Sequence, residues 1–102
     1  MNTLSDTDKA LLAAARAVRD NAHTPVTDFK VGAALLMDNG EIITGCNVEN
    51  YVLPVSICAE HAAICSAVAQ GQRRVEAVAV VADAAVPIPP CGNCRQILHT
   101  FG

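Results

Sequence analysis

The chain has 102 residues, a length that holds one small domain around one core. Apolar residues make up 52% and aromatic ones only 3%, so the core must be built from Ala, Val, Ile and Leu, and one Tyr with two Phe cannot make a base-stacking platform. The formal net charge of −3 argues against a polynucleotide partner, which would need a basic groove, and no run of eighteen apolar residues is present to span a membrane.

In chain order, the spacing of Leu11, Ala15, Val18 and Ala22 predicts a helix over 7–22, with Ser5, Asp6 and Thr7 as candidate caps and His23-Thr24-Pro25 as its end. Residues 29–37 and 41–46 read as two strands joined at Asp38-Asn39-Gly40, a hairpin signal, with Gly45 letting the second strand bend as it exits. Residues 47–57 form a loop containing Pro54. A second helix is expected over 58–70, capped by Ser56 and stopped by Gly71. Val75–Ala82 is a near-continuous apolar run, read as a buried strand of a parallel sheet. A Pro-rich loop over 83–90 leads into a last helix from Cys91 to Thr100. The order is α-β-β-α-β-α, with no internal repeat or linker, so residues 1–102 are expected to be one α/β domain, a small sheet covered by helices. A domain this small gains from a metal ion or an oligomer.

The N-terminal residues 1–9 are polar and acidic, unlike a signal peptide, and the five cysteines are an odd count that includes a Cys-x-x-Cys pair. That combination favours metal or thiol chemistry in a cytoplasmic protein over a disulfide framework.

Two motifs carry chemistry: Cys58-Ala59-Glu60 and Pro90-Cys91-Gly92-Asn93-Cys94, each where a loop enters a predicted helix. Helix N-termini carry partial positive charge, which favours the thiolate that zinc requires. Cys58, Cys91 and Cys94 give three protein ligands, the number found in catalytic zinc sites that keep a position for water. Glu60, two residues after Cys58, lies beside the metal without ligating it, as a base for the proton of a metal-activated water. Cys46 and Cys65 are read as small apolar residues rather than ligands. Three thiolates leave zinc with net negative charge, which Arg95 and helix dipoles would offset. Taken alone, a Cys-x-x-Cys pair also suits a redox site or half of a structural zinc site; a Cys-x-Glu motif followed by Pro-Cys-x-x-Cys is the zinc-deaminase pattern.

From the first helix onward the chain resembles the cytidine deaminase family, of the small homotetrameric type. The resemblance rests on Phe29-Lys30-Val31-Gly32-Ala33-Ala34, on Thr44-Gly45-Cys46-Asn47-Val48-Glu49-Asn50 and on the two cysteine motifs, the second continuing as Arg95-Gln96. It implies a three-layer α/β/α fold with a small mixed sheet, one Zn2+ per chain, and a homotetramer that uses the Cys58 helix and the loop 47–54 in its interface. By the same resemblance, Phe29 packs against a pyrimidine ring, Asn47 and Glu49 hold ribose hydroxyls, and the backbone N–H of Ala59 binds the pyrimidine carbonyl. Glu60 would protonate ring N3 and then carry a proton to the leaving ammonia, with zinc-bound hydroxide attacking C4. The family often has Arg where this chain has His61, so part of the charge compensation is expected to depend on pH.

Two departures stand out. The family's loop usually continues after Asn50 with Ala-Ser-Tyr-Gly, where this chain has Tyr51-Val52-Leu53-Pro54, so Tyr51 and Leu53 are expected to alter a pocket shared with a neighbouring subunit. The family also usually runs on past Phe101-Gly102 through two more strands and a short helix. Three functions follow as expectations: hydrolytic deamination of a cytidine-like small molecule, deamination of a modified or sugar-free pyrimidine as in blasticidin-type deaminases, and a zinc-stabilised binding protein without turnover. Retention of Glu60 favours the first two.

Overall fold

Strand β1 (Val31–Met37) is the centre of the architecture, because its run of apolar residues is covered on both faces. The computed structural model describes residues 6–51 and 56–82. Around β1 lie helix α1 (Asp6–Arg19), strand β2 (Ile42–Cys46), helix α2 (Ala59–Ala69) and strand β3 (Val75–Ala82). The sheet order is β2-β1-β3. Ala33, Leu35 and Met37 join Ile43 of β2 in packing against Ala59, Ala63, Ile64 and Ala67 of α2. Ala34 turns the other way, onto Leu11 and Ala15 of α1, with Ala77, Ala79 and Val81 of β3 alongside. The alternation of side chains along a strand thus makes two cores from one strand, and the layers are α/β/α. The expected element order holds as far as β3; the Pro-rich loop and the helix over 91–100 lie outside the described residues.

Both ladders of β1 are antiparallel, to β2 (Gly32 opposite Cys46, Leu36 opposite Ile42) and to β3 (Val31 opposite Ala82, with a register shift between Leu36 and Met37). The apolar run 75–82 therefore does not mark a parallel pairing, and the mixed character expected of the sheet is not seen among the described residues. A near-continuous apolar run does not by itself report strand direction: here α1 covers one face of it, through Ala77, Ala79 and Val81. Nor is β3 deeply buried: Glu76 and Val78 are exposed.

The boundaries and the roles of single residues differ from expectation in several places. Helix α1 stops at Arg19, and the chain leaves through Asn21 N–H to Val18 C=O and Ala22 N–H to Arg19 C=O bonds, each spanning three residues. Strand β1 begins at Val31 rather than Phe29 because Asp28 sits in the left-handed region (φ 56°), which breaks the extended run. Ser56 does not cap α2; Cys58 occupies the N-cap, and the Ser56 hydroxyl instead accepts from Asn50 N–H at 2.9 Å. Gly40 (φ 89°) in the hairpin and Gly71 (φ 83°) after α2 do serve as turn and stop. Gly45 serves close approach rather than bending: a β-carbon there would lie 2.6 Å from the Ala59 carbonyl oxygen. Among the described residues no helix is long and apolar enough to cross a membrane.

Candidate functional site

The start of α2 is fixed by a pair of backbone bonds one residue upstream. Val48 N–H donates to Ile57 C=O at 2.9 Å, and Ile57 N–H donates to Val48 C=O at 2.8 Å. This bridge ties the residues after β2 to those before α2. On its other side the same segment pairs with His23, whose N–H donates to Asn47 C=O and whose C=O accepts from Glu49 N–H. Three stretches of chain are thereby brought side by side: 23–29, 47–49 and 57–60.

Cys58 is half-buried, in no disulfide, and its extended backbone (φ −73°, ψ 156°) makes it the N-cap, although its side chain does not cap the helix. Its sulfur therefore lies at the positive end of the α2 dipole, an environment that favours thiolate. Ala59 is the first helical residue and is buried; an N–H in the first turn has no acceptor within the helix. Glu60 is 4% exposed and is the one buried polar or charged side chain among the described residues. Burying a carboxylate costs several kcal/mol unless something compensates its charge (roughly, for an ion moved out of water). A helix N-terminus supplies part of that compensation, and a neighbouring cation would supply more.

The residues expected to bind substrate sit on the adjacent strand ends. The side-chain amide of Asn47 brackets the entry to β1: Oδ1 accepts from Val31 N–H and Nδ2 donates to Phe29 C=O, both at 2.8 Å. Each amide atom keeps one further hydrogen-bonding site. Phe29 is half-buried just outside the strand. The Glu49 carboxylate closes onto the turn at 24–28, its Oε1 accepting from Val26 N–H at 3.1 Å and Thr27 N–H at 3.0 Å, and its Oε2 from the Thr27 hydroxyl. These bonds, led by that of the Thr27 hydroxyl, hold the Glu49 pKa below its ordinary value. Tyr51 is 80% exposed on the described chain.

Cys91, Cys94, Arg95 and Leu53 lie outside the described residues, and among the described residues no group of three His, Cys, Asp or Glu side chains converges on a metal position. What is described fits zinc in its chemistry: a thiol at a helix N-terminus with a buried carboxylate two residues on. Cys65 is exposed on α2, seven residues beyond Cys58 and so about 10 Å along the helix axis, too far to share its metal. Sequence reasoning did not single out Thr27, although a Thr two residues before Phe29 carries the signal of a side-chain turn.

A family profile described as the cytidine and deoxycytidylate deaminase zinc-binding region matches residues 5–102. Cytidine deaminase of Sporosarcina psychrophila is 45% identical over 91 residues, 89% of this chain and 67% of the relative. That of Halalkalibacterium halodurans is 49% identical over 80 residues, 78% of this chain and 61% of the relative. The chain thus spans about two thirds or less of the length of these curated relatives. The crystal structure of cytidine deaminase from Burkholderia pseudomallei superposes with a TM-score of 0.89 at 44% identity, covering 97% of this chain and 78% of that one. With the fold, the start of α2 and the paired cysteine motifs all in agreement, the chain belongs to the cytidine and deoxycytidylate deaminase zinc-binding family.

Proposed function

We propose that the protein catalyses zinc-dependent hydrolytic deamination of a cytidine-like small pyrimidine, exchanging the C4 amino group for the oxygen of water and releasing ammonia. The observation that carries this reading is Glu60: a carboxylate kept buried in the first turn of α2, two residues from the Cys58 thiol. A structural zinc site has no use for a buried carboxylate in that place, whereas a proton-transferring base does. Cys58, Cys91 and Cys94 hold the metal. Zinc, when bound, supplies a Lewis acid that brings the pKa of water toward neutrality.

The chain's own residues do the rest. Glu60 accepts the proton of the attacking water and delivers it to ring N3; it then takes the proton of the new C4 hydroxyl and passes it to the amine, which leaves as ammonia when the C4–N bond breaks and the C4 carbonyl forms. The Ala59 N–H, in the first turn of α2, donates to the pyrimidine carbonyl. Phe29 lies against the ring, and Asn47 and Glu49 use their remaining hydrogen-bonding sites for ribose hydroxyls. The active form is a homotetramer in which exposed Val48, Tyr51 and Ile57 are covered by a neighbouring copy, consistent with their position beside the start of α2.

Ammonia release from cytosine, cytidine, deoxycytidine and N4- or 5-substituted analogues tests the reading. Turnover of a nucleoside, lost on Glu60→Gln by about 100-fold or more while zinc stays bound, is the expected result. Turnover of a sugar-free or substituted base alone would move the substrate to the blasticidin-type class, and release from none of them would leave a zinc-stabilised binding protein.

A further inference from the structure

The turn that precedes Phe29 is built around one hydroxyl. Thr27 Oγ1 accepts from Phe29 N–H at 3.1 Å and donates to Glu49 Oε2, so a single side chain joins the backbone of one candidate substrate residue to the carboxylate of another. The same carboxylate draws in the N–H groups of Val26 and Thr27, and Asp28 N–H closes the turn on Thr24 C=O at 3.0 Å. Asp28, between Thr27 and Phe29, holds the left-handed conformation (φ 56°) that L residues other than Asn and Asp seldom adopt. Five bonds, from four consecutive backbone N–H groups and one hydroxyl, hold this reversal in place, and Phe29 leaves it toward β1.

We infer that Thr27 is a positioning residue of the substrate pocket, its hydroxyl fixing the Glu49 carboxylate and the Phe29 backbone relative to each other so that sugar and ring are gripped in one register. The inference rests on the proposed roles of Phe29 and Glu49 in holding a nucleoside. Three of the four accepting positions of the carboxylate are occupied by the turn, which aims the one that remains. The Thr27 hydroxyl is also the first cause that lowers the Glu49 pKa, as a donor to the ionised carboxylate must.

Thr27→Val removes the hydroxyl at nearly constant shape, and Thr27→Ser keeps it. With the zinc-loaded full chain, Thr27→Val should raise KM for a nucleoside about tenfold with kcat within about twofold, because a preorganised contact made equally in ground and transition states is lost. Thr27→Ser should restore the wild-type KM. In the same variants, amide hydrogen exchange at Phe29 should speed up in Thr27→Val and not in Thr27→Ser, with thermal melting reporting that both are folded. A wild-type KM and unchanged Phe29 exchange in Thr27→Val would overturn the inference, as would equal KM effects in Thr27→Val and Thr27→Ser. Absence of turnover in the wild-type chain would strike at the functional reading, and nucleoside binding measured by calorimetry on the Thr27 pair would then decide the positioning role: equal affinities overturn it, weaker binding by Thr27→Val alone supports it.

Discussion

Gly45 of β2 lies directly beneath Ala63 of α2, so close that a β-carbon on the glycine would sit 2.8 Å from the Ala63 α-carbon. The obstruction is backbone, which cannot swing aside as the end of a long side chain does. Gly45→Ala should therefore destabilise the fold by about 3 kcal/mol or more, at the upper end of the usual cost of overpacking. Because α2 would have to lift from the sheet at the turn carrying Cys58 and Glu60, zinc affinity should fall with stability. Urea unfolding and metal titration of the variant check both; a stable variant with undiminished zinc affinity would show that α2 tilts freely on the sheet.

Cys58→Ala should abolish stoichiometric zinc binding and lower the melting temperature, since structural and catalytic thiolate sites couple metal binding to folding. Cys65→Ala, at an exposed position of the same helix, should retain one zinc per chain. Elemental analysis of the purified variants decides: full zinc in Cys58→Ala, or in Cys91→Ala, would remove those residues from the ligand set.

The turn at 24–28 should loosen in acid. The folded pKa of Glu49 lies below its ordinary value of 4.5, so its contribution to stability is complete above that value and is lost as the pH falls through the folded pKa. Urea midpoints measured from about pH 6 down to about pH 3 should fall for the wild type in this window, and Glu49→Gln should flatten that part of the curve. A Glu49→Gln profile parallel to the wild type throughout would assign the acid sensitivity to other carboxylates.

Tyr51 is mostly in solvent on the single chain, next to the bridge that sets the start of α2. If a neighbouring copy covers it, Tyr51→Glu should weaken assembly and shift light scattering toward smaller species at micromolar concentration, with loss of activity in parallel. Tyr51→Ala combined with Leu53→Tyr should instead keep the assembly and change the ranking of nucleoside substrates. A wild-type chain that is monomeric at those concentrations would disprove the oligomer outright.

Much of the architecture was legible in the sequence because it depends on local signals. Asp38-Asn39-Gly40 marks the hairpin, Gly71 marks the end of α2, and the spacing of Leu11 and Ala15 marks the buried stripe of α1. Three of the misreadings share a different cause: each concerns a group whose partner lies outside its own element. Phe29 looked like strand because the turn that puts Asp28 in the left-handed region is held by Glu49, more than twenty residues on from Val26 and Thr27. Ser56 looked like a cap because its bond to Asn50 crosses a loop. Gly45 looked like a hinge because the helix it accommodates lies beyond that loop. The site divides in the same way. Cys58 and Glu60 are readable from a two-residue spacing and a helix start, whereas the clasp of Glu49 on Thr27 spans more than twenty residues and emerges only when the three stretches meet.

The two bonds between Val48 and Ile57 separate what the chain can change from what it must keep. The chain leaves this bridge at Val48 and returns to it at Ile57, so exchange beyond Glu49, which stays tied to the turn at 24–28, leaves the thiol and the carboxylate of α2 where they are. Such a segment behaves as a cassette: its length and composition can change without moving the start of α2. Tyr51, 80% exposed, belongs to that exchangeable stretch, whereas Cys58 and Glu60 lie on the side the bridge holds still.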